Sequence, residues 1–431
     1  MTDIAAADAA PAAPCAPPAG RIATLDIVRG VAVMGILAMN IVAFAMPEAA
    51  YVNPAVYGTE GPADLASWAF SFVFVDGKMR GLFSFLFGAS MLLVIQRAEA
   101  CGRSPAGVHY SRMAVLLVLG LVHFYLIWWG DILALYAPIG MIAFFFRRLP
   151  TSRLVTIALF LLLFQFLFFA MFAFQAQAAA AAAAAPGASL EAVRRWADMQ
   201  HGFGRYAPEE LRSLLDLYRG GYAGQVHFRT TAMLFNPLNG LWEFGGETLA
   251  YMLLGMAALK SGFLTGAWAD RAYRRVLVIG FGIAVPAYAA LAWWIISDDF
   301  AVQTLIAGWI AATVPLRPLM IGAIAASVIL LTRKNGPLTR RIAAAGRAAF
   351  TNYLGTSILM TTLFYGYGLG LYGQLSRIEL WLPVVAAWAL MLLWSKPWLD
   401  RFRYGPFEWL WRSLSRRRLE PMRKDAEPSL G

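Results

Sequence analysis

One apolar run after another in this chain has the length that crosses a lipid bilayer. A hydrocarbon core ~30 Å thick takes about 20 residues of helix, and inside it each backbone polar group must be bonded within its own structure. Ten such runs are read, over residues 24–46, 78–96, 112–129, 131–146, 153–175, 239–260, 275–296, 302–332, 348–372 and 378–397. Composition agrees: 60% of the 431 residues are hydrophobic and 14% charged, against about 25% charged in soluble domains. The expected fold class is an all-α polytopic membrane protein of about ten spans. The shorter apolar stretch Leu65 to Val75 leaves an eleventh, partial or re-entrant element open. Pro315 and Pro318 interrupt the eighth run, which reads as a broken helix.

Loop charges set an expected orientation. Arg97, Arg103 and Arg112 mark one loop, and Arg147, Arg148 and Arg153 another. Lys260, Arg271, Arg274 and Arg275 mark a third, and Arg333, Lys334, Arg340 and Arg341 a fourth. With ten spans these fall on one face together with both termini, and that face is expected to be cytoplasmic. The net charge of +11 is therefore a topology signal and not a nucleic-acid one. The expected organisation is a disordered tail over 1–20, five spans over 21–175, a periplasmic segment with short helices over 176–238, five spans over 239–398, and a basic tail over 399–431. No internal repeat relates the halves. Cys15 and Cys101 set up no disulfide framework.

An ionisable side chain inside a span costs about 2.5–3.5 kcal/mol on insertion scales, so each one needs a reason. Asp26 and Arg29 lie at i and i+3 in the first run, where they can pair. Asn40 follows Arg29 by eleven positions, which returns it to the same helix face ~16 Å further on. One reading is interfacial snorkelling by Arg29 with Asp26 as its partner; the other is contact with an anionic cytoplasmic ligand. In GLVHFYLIWWGDILALYAPIG, His123 sits near mid-bilayer and Asp131 opens the next helix after a tight turn. The pair suits a general base and the group that orients it, while Asp131 also suits a helix cap. Glu243 and Glu247, four apart, suit cation binding, acid–base work or capping. Lys78 and Arg80 stand at the outer end of the second run, against the positive-inside pattern, as candidate anion contacts. Arg317 between its prolines, and Asn352 and Tyr353 at the start of the ninth run, complete the polar set, with Arg112 as a basic-loop candidate.

No phosphate-binding GxxxxGK[ST] loop, HExxH, CxxC or GxSxG motif occurs. The four histidines are scattered, so a metal centre gains no support.

The segments LDIVRGVAVMGILAMN, DGKMRGLFSFLFGAS, LVHFYLIWWGDILALYAPIG, GRAAFTNYLGTSILMTTLFYGYGLGLYGQLSR and GPFEWLWRSL resemble the YeiB family, also called domain of unknown function 418. The resemblance spans roughly Arg21 to Arg418 and implies a multi-pass bacterial inner-membrane protein. That family is in turn similar to transmembrane acyltransferases such as heparan-α-glucosaminide N-acetyltransferase and the enzymes that O-acylate cell-surface sugars. In the latter an Arg is followed, after ten residues, by a His. Arg29 matches the Arg, but Asn40 stands where the His would be. Asn does not exchange a proton as His does, so either His123 takes the base role or the activity differs.

The expected activity is acyl transfer from a cytoplasmic donor such as acyl-CoA to an acceptor on the periplasmic side, such as a cell-envelope sugar. Arg29, Asp26 and Arg112 would serve the donor. His123 would be base, Asp131 its orienting group, and Asn40 a donor to the oxyanion. No permanently bound cofactor is expected; the expected partners are membrane lipid and the two small-molecule substrates. The alternative is a small-solute transporter or channel, which broken helices and membrane carboxylates also fit.

Overall fold

The computed structural model describes residues 22–424; the N-terminal tail expected to be disordered lies outside them. Among the described residues the chain is helical throughout, with no β-strand. The first half comprises α1 (Ala23–Ala45), α2 (Pro62–Phe74), α3 (Lys78–Ala100), α4 (Pro105–Val122), a π-helical turn His123–Ile127, α5 (Leu133–Ala143) and α6 (Thr151–Ala184). The connecting segment holds α7 (Leu190–Gln200), α8 (Pro208–Arg219) and α9 (Tyr222–Thr231). The second half follows with α10 (Asn236–Lys260), α11 (Asp270–Ser297), α12 (Val302–Leu305), a π-helical turn Ile306–Ala311, and α13 (Arg317–Leu331). It closes with α14 (Pro337–Arg347), α15 (Ala349–Phe364), α16 (Trp381–Arg401) and α17 (Pro406–Arg416).

Six of the described helical stretches are long and apolar enough to cross a membrane. One of them, Pro62–Ala100, joins α2 to α3, so the short apolar stretch at 65–75 is an ordered helix that turns into the second run at Gly77. The expected eighth span is broken as its prolines require, into α12, a π-turn and α13. Three boundaries differ from expectation. The fifth span does not end near residue 175 but continues as α6 to Ala184, because the residues there are mostly alanine, the best helix former. The ninth run ends as helix at Phe364, and the Gly-rich text after it turns back along the bundle end. The basic tail contains the amphipathic helix α17. Glu408 of that helix caps α15, accepting the Phe350 and Thr351 N–H groups at 2.7 and 3.1 Å. Cys101 is disulfide-bonded, against the expectation that the cysteines set up no disulfide framework.

α1 is the central helix. Of its most apolar window 72% is buried, against 22–28% for α6, α11 and α16. Those outer helices present Phe160, Phe164, Met171 and Phe174 of α6 and Ile279 and Ile283 of α11 outward, as lipid-facing surfaces do. Glycines set the closest helix approaches. A Cβ at Gly88 of α3 would overlap the Met252 carbonyl of α10, and one at Gly255 the Phe85 carbonyl, so the two helices meet through reciprocal glycines. Gly30 of α1 and Gly346 of α14 do the same against Ile342 and Asp26.

The arginine-rich loops meet at one end. Lys260 donates to the Arg147 and Leu149 carbonyls at 2.8 and 2.7 Å, and Arg147 faces Glu99 at 3.7 Å. Arg333 pairs with Asp270 at 2.8 Å, and Trp411 of α17 donates to the Arg112 carbonyl at 2.9 Å. At the opposite end α8 and α9 clamp onto the bundle: Arg219 donates to the Tyr372 carbonyl at 2.8 Å, and Gly366 N–H to the Tyr218 carbonyl at 2.9 Å.

Candidate functional site

His123 begins the π-helical turn that ends α4, and its carbonyl accepts the Trp128 N–H at 2.8 Å. A π-turn inserts one residue into the helical ladder and often marks a functional position. Here it leads into Trp128, wholly buried and stacked on Phe44 of α1 with ring centres 3.8 Å apart. The turn brings Asp131 back beside the helix it follows. His123 Nδ1 and Asp131 Oδ2 lie 2.7 Å apart, both buried. The other carboxylate oxygen accepts the Ala134 N–H at 2.7 Å, so Asp131 also caps α5. In the tautomer where Nδ1 donates to the Asp131 carboxylate and the imidazole is neutral, Nε2 keeps a lone pair. Nε2 is buried and has no hydrogen-bond partner. Among the described residues the neighbouring Trp128 Nε1 and the Tyr365 hydroxyl are placed likewise; His123 Nε2 differs in having a carboxylate behind it.

Tyr353 of α15 completes the surroundings. Its ring lies 5.4 Å from the imidazole, and its hydroxyl accepts the Ile132 N–H at 3.2 Å. Asn40, buried on α1, lies one turn before Phe44 on the same face, toward the basic end.

The other candidates go elsewhere. Arg29 binds Asp26 at 3.1 Å and donates to Ser90 Oγ at 2.6 Å, near the basic end. Arg112 stacks over Trp411, 4.1 Å from its ring centre, and no contact joins it to Arg29. Asn352 bridges the basic end, donating to the Ala345 carbonyl at 3.0 Å and accepting from Trp394 at 2.9 Å.

Glu243 and Glu247 do not act as a pair. α10 starts at Asn236, so both lie past its first turn and neither caps it. Glu243 is exposed. Glu247 is wholly buried and accepts from Arg80 at 2.8 Å, Arg317 at 2.7 Å and the Tyr251 hydroxyl at 2.7 Å. One carboxylate thus holds α3, α10 and α13 together. Lys78 is not an open anion contact either: buried, it donates to the Phe72 carbonyl and lies 3.5 Å from the Tyr288 ring centre. Arg80 and Arg317 are spent internally in the same way.

Sequence reading missed Arg229 and Gln165. Arg229, buried on α9, donates to the Tyr125 carbonyl at 2.9 Å and the Leu126 carbonyl at 3.3 Å. Nothing in the text distinguishes it from other arginines of a long loop. Gln165 of α6 donates to the Glu243 carbonyl at 2.9 Å and accepts the Glu247 N–H at 3.3 Å; a lone Gln in an apolar run was its one signal.

A bundle of long apolar helices around a buried polar centre defines a polytopic helical membrane protein. Over 418 residues the chain is 34% identical to "Uncharacterized protein YeiB" of Escherichia coli (strain K12), covering 93% of this chain and 98% of that protein. It is 32% identical over 418 residues to "Uncharacterized protein YxaH" of Bacillus subtilis (strain 168), covering 94% and 96%. The family described as "Protein of unknown function (DUF418)" matches residues 258–418. The chain belongs to this family of YeiB-like DUF418 proteins. No solved structure matches it.

Proposed function

We propose that the protein is a membrane-embedded acyltransferase of the bacterial inner membrane, with its basic end in the cytoplasm. It takes an acyl group from a thioester such as acyl-CoA and passes it to a hydroxyl-bearing acceptor on the periplasmic side, a cell-envelope sugar being the expected class. The observation that carries the reading is His123 Nε2, buried, unpartnered and backed by Asp131. Supporting it are the bacterial relatives, the positive-inside charge pattern and the π-turn that fixes the imidazole.

In this mechanism Nε2 takes the acceptor's hydroxyl proton as that oxygen bonds to the thioester carbonyl carbon. Asp131 holds the Nδ1 proton and stabilises the imidazolium. Asn40 donates to the oxyanion. Collapse breaks the C–S bond, and the departing thiolate takes the proton from the imidazolium. The products are an ester and a free thiol, with no redox change. Arg29 meets the donor from the cytoplasmic side.

The test is transfer of a labelled acyl group from acyl-CoA in proteoliposomes, comparing wild type with His123→Ala. A general base contributes about 10²–10⁴-fold, and that loss is expected in folded H123A. Full activity in H123A overturns the assignment. Solute flux without consumption of acyl-CoA would favour a transporter instead.

A further inference from the structure

The turn between α2 and α3 carries a carboxylate that belongs to none of the clusters above. The Asp76 N–H reaches back five positions to the Ser71 carbonyl at 2.8 Å, and Gly77 then takes φ 71°, a left-handed value that suits glycine. The turn lies within the joined apolar stretch Pro62–Ala100, and Asp76 is half-buried in it. An ionisable group so placed is expensive and calls for a partner or a task. Among the described residues, none bonds the Asp76 carboxylate.

The cations around it are bonded elsewhere. Lys78 donates to the Phe72 carbonyl, and Arg317 to Glu247 at 2.7 Å. Arg377, buried just before α16, donates through Nε to the Thr59 hydroxyl at 3.1 Å and through Nη2 to the Ala50 and Tyr57 carbonyls. Its Nη1 takes no part in these bonds.

Asp76 and Arg377 line one hollow of about 20 Å³, together with Tyr51, Ser67, Trp68 and Ser71. The Trp68 indole N–H is buried and has no partner. A polar hollow above ~10–15 Å³ holds a water, and a water joins polar groups that stand too far apart to bond directly. Anything larger than a few atoms does not fit. Tyr51 and Arg377 belong to connections at the end opposite the basic loops, where the Tyr57 hydroxyl donates to the Gly373 carbonyl at 2.6 Å.

We propose that Asp76 is a proton-exchange site: a water in this hollow bridges its carboxylate to the Arg377 guanidinium and delivers protons from the end opposite the basic loops. The step is protonation alone, carboxylate to carboxylic acid, with no other bond changed. Facing Asp76 are the cations Lys78, Arg377 and Arg317 and the hydroxyls of Tyr51 and Tyr288, and Asp64 of α2 also acts on Arg377. The site does not rest on the acyl-transfer reading, because protonation is measured without turnover.

The experiment takes infrared difference spectra of the full chain in phosphatidylcholine nanodiscs between about pH 9 and about pH 5, a window that desolvated carboxyls reach. The variants are Asp76→Asn and, as a control, Glu243→Gln, an exposed carboxylate that does not line the hollow. Acidification is expected to raise a protonated-carboxyl band that D76N loses and E243Q keeps, and that shifts promptly in D₂O. A spectrum unchanged in D76N, or a band that stays in place in D₂O, overturns the proposal. A second measurement needs the wild type alone: dicyclohexylcarbodiimide adds to protonated carboxyls, and its adducts are mapped by peptide mass spectrometry. Labelling of Asp76 that grows on acidification is expected. Labels confined to other carboxyls overturn the assignment, whether or not D76N folds.

Discussion

Arg229 of α9 donates to the carbonyl of Tyr125, two residues after His123 in the π-helical turn, at 2.9 Å. A π-turn followed by extended backbone leaves carbonyls that the helix no longer satisfies, and here the connecting segment satisfies them. The Tyr222 hydroxyl adds a bond to the Leu126 carbonyl at 2.8 Å. The segment between the two halves is thereby tied to the stretch that carries the candidate base.

Removing that guanidinium should be felt as stability. In Arg229→Ala the Tyr125 carbonyl loses this donor while the Leu126 carbonyl keeps the Tyr222 hydroxyl, and a buried group left unsatisfied costs about 1–3 kcal/mol. A lowered unfolding temperature in detergent is expected, along with new protease sensitivity in the 222–235 stretch. Wild-type stability would mean that water replaces the guanidinium freely.

Asp131→Asn separates orientation from folding. The amide oxygen can still accept the Ala134 N–H and cap α5, but its NH₂ would then donate to Nδ1. That moves the imidazole proton to Nε2 and removes the lone pair that would act as base. In the acyl-transfer assay a loss of about 10²–10⁴-fold is expected with little change in unfolding temperature.

The Glu247 cluster should behave as a buried ion network. Glu247→Leu leaves Arg80 and Arg317 uncompensated, a change of about 3–5 kcal/mol. Combining it with Arg317→Leu and Arg80→Leu should recover much of that loss, because apolar replacement of a whole buried network is often neutral. A double- and triple-mutant comparison of unfolding in detergent checks this. A triple variant worse than E247L contradicts it.

Gly255→Ala tests the α3–α10 contact. The added methyl would overlap the Phe85 carbonyl, which is backbone and cannot swing aside. Overpacking of this kind costs about 1–3 kcal/mol. Gly240→Ala in the same helix, where a Cβ meets open space, should be tolerated.

Much of this molecule is legible in one dimension. Hydropathy placed helices close to where they lie, Pro315 and Pro318 marked a real break, and a short Trp-Trp-Gly turn brings His123 and Asp131 within reach. Asp26 and Arg29 are one helical turn apart and bond directly. In each case the partners are local, so period and spacing suffice to relate them.

The partners of Glu247 are not local: Arg80 is 167 positions away and Arg317 70. Tyr353 reaches Ile132 across 221 positions, and Trp388 of α16 reaches the Met34 carbonyl of α1 across 354. The sequence by itself determined the membrane class, the helices and the neighbouring pairs, because apolar length and the 3.6-residue period are properties of a single segment. Only the tertiary structure decided that Lys78, Arg80 and Arg317 are internally satisfied while His123 Nε2 is not. A buried polar atom is satisfied or left open by side chains from other helices, and helix packing alone selects which ones arrive.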